Sequence, residues 1–172
     1  CEYDVTWGTA DDDAPQTATM SQLAEMLPDG ISEWEVKRQV RYYTKYVSSL
    51  ITQAINCWMQ YERNAPGQNQ MLVFAMSCRH AEAICNVINE LAFPGLPKPF
   101  AEWVGTGEGE SESRTDEQNR QIIGRFQRNE LPCLVQVNLA GEGFNNKRCS
   151  IGVMLDLIGD TPMKRQHLGR FM

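Results

Sequence analysis

The stretch at 71–91, "MLVFAMSCRHAEAICNVINEL", decides the fold. It begins with a short, continuous apolar run, the pattern of a strand buried on both faces. After Ser77 the period changes. Ala81, Ile84, Val87, Ile88 and Leu91 recur at three- and four-residue spacing, which makes one apolar face of a helix over 79–91. A buried strand that feeds directly into an amphipathic helix is the unit of a parallel sheet, because parallel strands need a crossover.

The same unit repeats toward the C-terminus. "FPGLPKP" (93–99) breaks the helix, and "FAEWVG" (100–105) reads as a second strand. "DEQNRQIIGRFQRN" (116–129) reads as a helix anchored by Ile122, Ile123 and Phe126. "PCLVQVN" (132–138) and "SIGVMLD" (150–156) are further strands. In the final "TPMKRQHLGRFM" (161–172), Thr161 is an N-cap and Pro162 stands at the first helical position. This alternation predicts an α/β fold: a parallel sheet with right-handed crossovers and helices on both faces. Ligands of such sheets sit at the carboxyl ends of the strands, here the loops after 76, 104, 138 and 155.

Toward the N-terminus, 32–64 reads as one long amphipathic helix. Ser32 is its N-cap, Glu35 completes a capping box, and Val36, Val40, Tyr43, Val47, Leu50, Ala54 and Trp58 form the stripe. That stripe either packs on a neighbouring core or binds a partner. "APGQNQ" (65–70) is a linker, and residues 1–31 read as irregular, with a short helix possible at 20–27. The chain thus divides into an acidic segment plus helical connector over 1–66 and an α/β part over 67–172.

The bulk numbers bound the function. A chain of 172 residues with 42% hydrophobic and 22% charged residues is an ordinary globular composition. No stretch approaches the roughly 20 apolar residues of a membrane span. The N-terminus lacks the apolar run of a signal peptide, and it lacks an initiator Met, as expected of a piece of something longer. The net charge of −6 argues against a general nucleic-acid coat but leaves room for a local site. Six cysteines without a Cys-x-x-Cys pair, most in apolar company, predict buried thiols in a reducing cytoplasm. With only His80 and His167 as histidines, no structural metal is expected.

Three segments carry candidate chemistry. "GTGEGES" (105–111) is Gly-rich after a strand, but it has no Gly-Lys-Ser/Thr and its glutamates would repel phosphate, so it reads as a connector. "LVQVNLAGEGFN" (134–145) runs from a strand into Gly141 and Gly143, with Glu142 and Asn145 beside them. Taken alone it reads as a plain strand-to-loop corner. In "QHLGR" (166–170), Gln166 and Arg170 share a helical face. Gly169 costs a helix about 1 kcal/mol relative to Ala, so something should need its small size. Alone, such a face reads as a solvated one.

Together, in order and spacing, "MLVFAMSCRHAEAICNVINEL", "DEQNRQIIGRF", "LVQVNLAGEGFN" and "QHLGR" resemble motifs IV, IVa, V and VI of superfamily-two helicases. The "VFAMSCRHAE" and "EGFN" details are more similar to the restriction-enzyme and phage-type branch than to the DEAD-box branch. The resemblance covers 67–172 and implies the second, C-terminal RecA-like lobe: a three-layer parallel sheet of P-loop NTPase type. It implies an ATP-dependent helicase or translocase whose first RecA-like lobe, with the Walker lysine and magnesium-binding acids, stands elsewhere in the same protein. Arg170 would supply an arginine finger to the γ-phosphate, supported by Gln166. Glu142, Gly143, Asn145 and Gly169 would approach the nucleotide. Ser77, Arg79, Val137 and Asn138 would face the nucleic-acid backbone, DNA before RNA. ATP and Mg2+ would be cofactors of the full-length protein, with neither expected on this chain alone, which would be inactive without Walker motifs.

Departures from the pattern are also legible. Val137 stands where the family often has Thr, Asn145 where it has Asp, and Asn119 where the motif IVa arginine falls. The second motif VI arginine would follow Met172. A competing reading is a non-catalytic RecA-like module that binds a partner through the long helix. A third, another doubly wound enzyme such as a methyltransferase or nucleotide-sugar enzyme, lacks a Gly-x-Gly-x-x-Gly after the first strand.

Overall fold

The structure, a computed structural model, describes residues 4–7, 16–19, 33–42, 44–91, 96–105, 114–137 and 146–156. It divides into two compact units, Cys1–Leu50 and Ile51–Met172.

The first unit holds a hairpin that the sequence does not announce. Strands β1 (Asp4–Trp7) and β2 (Gln16–Thr19) pair antiparallel, with Asp4 opposite Thr19 and Trp7 opposite Gln16. The expectation of an irregular N-terminus is corrected here. Each strand is only four residues, too short for alternation to stand out beside the Asp run and Pro15. The expected helix at 20–27 and the Ser32 cap lie outside the described residues. Within the connector the structure describes helices α1 (Glu33–Tyr42) and α2 (Thr44–Asn64). In α1 the Arg38 guanidinium lies over the Trp34 ring, 5.7 Å from its centroid.

In the second unit the expected alternation is present. Strand β3 (Gln70–Phe74) leads to α3 (Cys78–Glu90), β4 (Ala101–Gly105), α4 (Asp116–Gln127), β5 (Cys133–Val137) and β6 (Cys149–Met154). The four strands form one all-parallel sheet in the order β4-β5-β3-β6. The interior strands β3 and β5 are buried along their whole length, whereas β6 alternates buried and exposed residues. The outer strand β4 is also nearly wholly buried, so of the four only β6 reads as covered on one face.

The pleat sends alternate side chains to opposite faces. Leu72, Phe74, Val104 and Leu134 pack with Ile122 and Phe126 of α4 and with Leu131. On the other face, α3 buries Ala81, Ile84, Cys85 and Ile88. The Cys85 thiol donates to the Ala101 carbonyl at 3.2 Å. In α2 the buried residues of this unit are Ile51, Ala54, Ile55 and Trp58, while Leu50 is only half-buried. Trp58 meets Phe100 edge to face, and its Nε1 donates to the Asn69 carbonyl at 2.9 Å.

Buried amides tie the elements together. Gln70 donates through Nε2 to the carbonyls of Phe126 (2.7 Å) and Leu131 (2.8 Å) and accepts from Asn146 Nδ2 at 2.8 Å. Asn89 accepts from the N–H groups of Phe100 and Ala101 and donates back to the Ala101 carbonyl. Burial pushes the Cys85 thiol up to about 11 and the Cys149 thiol up to about 12; Cys133 is raised by the same cause.

Candidate functional site at the carboxyl edge of the sheet

Parallel strands end on one edge. In register, Phe74 of β3 stands beside Gln136 of β5 and Met154 of β6, and Gly105 of β4 stands beside Val137. The edge is extended by two backbone bonds, Ala75 N–H to the Gln136 carbonyl and Leu155 N–H to the Phe74 carbonyl, each 2.9 Å. The loops expected to carry ligands start here.

Helix α3 begins at this edge. Ser77 is its N-cap with extended backbone, and its Oγ accepts from the His80 N–H at 3.2 Å. His80 is buried, and its Nδ1 accepts from the Met76 N–H at 3.3 Å. The chain is thereby pinned on both sides of Ser77. Arg79, the second residue of the helix, is exposed. The first turn of α3 carries no acidic residue. Arg79 and the positive end of the helix dipole therefore act together on any anion brought to this point.

Helix α4 starts differently. Thr115 and Gln118 form a reciprocal capping box, with Thr115 N–H donating to Gln118 Oε1 (2.9 Å) and Gln118 N–H to Thr115 Oγ1 (3.3 Å). Asp116 and Glu117 occupy its first turn. Those carboxylates favour the helix but oppose an anion, so α4 does not duplicate the electrostatics of α3. Arg114, just before it, stacks over the Trp103 ring, 4.4 Å from its centroid.

Of the residues singled out in the sequence, Ser77, Arg79 and Val137 are described, and all three are at this edge. Val137 is 3% exposed. Its side chain therefore belongs to the core, which leaves its backbone as the group available at the strand end. Asn138, Glu142, Gly143, Asn145, Gln166, Gly169 and Arg170 lie outside the described residues. Sequence reasoning singled out Asn119 only as a departure from motif IVa and missed the junction it makes beneath the edge with Gly105 and Cys78. The Thr-x-x-Gln pattern at 115–118 was a readable signal for the start of α4, but nothing in the sequence marked Asn119 as buried.

Among the described residues, no His, Cys, Asp and Glu side chains gather in a group of three or more that could hold a metal. No described helix is long and apolar enough to cross a membrane.

The all-parallel sheet with helices on both faces is a RecA-like α/β fold of the helicase type. Its likeness to a solved structure is that of "Mss116p DEAD-box helicase domain 2 bound to an RNA duplex", with TM-score 0.54 and 14% identity, over 72% of this chain and 45% of that one. The Pyrococcus furiosus Hef helicase domain is also similar, with TM-score 0.48 and 16% identity, over 70% of this chain and 22% of that one. The chain thus spans less than half the length of either. No curated protein matches it. The family model for the helicase conserved C-terminal domain matches residues 47–172. The chain belongs to this family.

Proposed function

We propose that this lobe is the second half of an ATP-driven motor that moves on nucleic acid. The observation that carries the reading is the exposed Arg79 on the acid-free N-terminus of α3, at the carboxyl edge of a sheet of the helicase family. Such an edge grips backbone phosphates without reading bases, which suits a motor that must act on any sequence. It also lets a chain of net charge −6 hold a polyanion, through a local site rather than a basic surface.

The nucleotide side of the reading rests on the motif likeness. Arg170 would hold a planar, permanently charged fork toward the γ-phosphate, where it stabilises charge that develops during transfer. Gln166 would orient that end. Glu142, Gly143, Asn145 and Gly169 would let backbone and side chain approach the nucleotide. ATP with Mg2+ supplies the phosphoryl-transfer chemistry, and the Walker groups belong to the first lobe. DNA is put before RNA on sequence likeness alone, and parallel titrations with both decide it. A reducing cytoplasm suits the free thiols of Cys57, Cys85, Cys133 and Cys149.

The test is nucleic-acid-stimulated ATP hydrolysis by the full-length protein. Arg170→Ala is expected to lower turnover by about 10³-fold or more, the worth of an arginine finger, while nucleic-acid binding persists. Turnover unchanged by Arg170→Ala would overturn the assignment. The 172-residue chain alone is expected to be inactive toward ATP. Absence of both ATPase and nucleic-acid binding in the full-length protein would favour the interaction module, for which the exposed Trp34 of α1 is the supporting feature.

A further inference from the structure

Gly105 closes β4 at a point where three other elements converge. A Cβ placed on it would lie 2.9 Å from the Cys78 Sγ and 3.3 Å from the Val137 Cβ. Cys78 is the first residue of α3, set between Ser77 and Arg79, and is buried. Val137 is the last residue of β5. From the fourth side, Asn119 of α4 holds both backbone groups of Gly105: Nδ2 donates to its carbonyl at 3.1 Å, and its N–H donates to Oδ1 at 3.2 Å. The same Nδ2 lies 3.4 Å from the Arg114 carbonyl.

We infer that Gly105 and Asn119 are positioning residues for the phosphate-gripping edge. The missing side chain of Gly105 lets α3 seat against β4 and β5 at the depth that presents Ser77 and Arg79, and Asn119 fixes the height of that seat.

The physical argument is one of space. Real Cβ atoms do not approach a neighbour to 2.9 Å, so the Cys78 side chain, the helix start that carries it or the strand end must move. Val137 Cβ is attached to ladder-bonded backbone and cannot retreat. Cys78 is the partner that yields, and it carries Ser77 and Arg79 with it. Asn119 prevents the alternative, in which Gly105 itself slides. It stands where the family's motif IVa arginine falls, so in this chain that position works through the scaffold. The inference rests on the reading of this edge as nucleic-acid-facing, and its test separates the two.

The experiment titrates a fluorescein-labelled single-stranded oligonucleotide, DNA and RNA separately, into the full-length protein by fluorescence anisotropy. The proteins are wild type, Gly105→Ala, Cys78→Ala and the double variant. Absence of binding by wild type would defeat the nucleic-acid reading itself. Given wild-type binding, Gly105→Ala is expected to weaken it about tenfold, comparable to losing one charge-assisted hydrogen bond. Cys78→Ala removes the Sγ that the new methyl would strike, so the double variant is expected to return to within about twofold of Cys78→Ala alone, a factor of ten being 1.4 kcal/mol. Wild-type affinity in Gly105→Ala would overturn the inference. So would a folded double variant that stays about tenfold weaker than Cys78→Ala. If Gly105→Ala alone does not fold, the comparison of the double variant with Cys78→Ala decides. A merely structural glycine would lower thermal stability without this rescue of affinity.

Discussion

Gln70 and Asn146 form a buried amide pair, Asn146 Nδ2 donating to Gln70 Oε1 at 2.8 Å across 76 residues of sequence. Gln70 is fully buried, and its Nε2 also serves the carbonyls of Phe126 and Leu131. One side chain thus joins the start of β3 to the end of α4, the approach to β5 and the approach to β6. Gln70→Leu would take the Gln70 partner from the buried Leu131 carbonyl and the Asn146 amide, and one of two donors from the Phe126 carbonyl, which keeps the Asn129 N–H. The expected cost is about 2–4 kcal/mol, because an orphaned buried group loses its hydration as well as its bond. Calorimetry should place the transition about 5–15 °C lower, at roughly 2–4 °C per kcal/mol for chains of this size. Asn146→Ala should cost less, since both carbonyls keep their donor.

Asn119 predicts a local effect. Asn119→Ala removes acceptor and donor from Gly105 at once. Stability should fall by about 1–3 kcal/mol. Native-state hydrogen exchange should show the Gly105 amide losing protection more than amides in β3, because the opening is confined to the end of an outer strand.

Alkaline pH should destabilise the lobe through its buried thiols. Burial raises Cys85 from 9.0 to about 11 and Cys149 to about 12. Above pH 9 the unfolded chain releases thiol protons that the folded chain keeps, so the folded state binds more protons and stability falls as pH rises. The stabilising contribution is complete below pH 9 and is lost through the folded values of about 11 and 12. Melting temperature measured under reductant should decline across that window, and the decline should be shallower in the Cys85→Ala, Cys149→Ala double variant.

Arg79 should report on phosphate contact through salt. Arg79→Ala should weaken single-stranded binding and reduce the slope of log affinity against log salt by about 0.7, one released counterion. It is exposed, so melting temperature should hardly move. An unchanged slope would place the phosphate contacts elsewhere on the lobe.

Legibility followed the range of the interaction. The apolar runs at 100–105 and 132–138 contain β4 and β5, those at 71–76 and 150–156 cover all but the first residue of β3 and β6, and the helices at 79–91 and 116–129 begin and end within two residues of expectation. These patterns are local, because burial on two faces or one stripe is written into consecutive residues. The connector was less legible. A continuous stripe was expected from Val36 to Trp58, yet Ile51 and Ile55 are more deeply buried than Leu50. Neighbouring apolar residues compete for the same face, and the packing surface, rather than the helix, selects between them.

The sequence by itself determined that this chain is a parallel α/β lobe and where its strands end, because hydrophobic periodicity and turn residues act over a few positions. Its motif spacing determined the family. Strand order was decided only in three dimensions, since β5 enters between β3 and β4 although it follows both in sequence. So were the roles of Gln70, Asn89 and Asn119. A polar side chain is buried only when partners from distant segments arrive to satisfy it, and no local pattern encodes that arrival. The same holds at Gly105, whose small size matters because Cys78 and Val137 meet there in the folded chain.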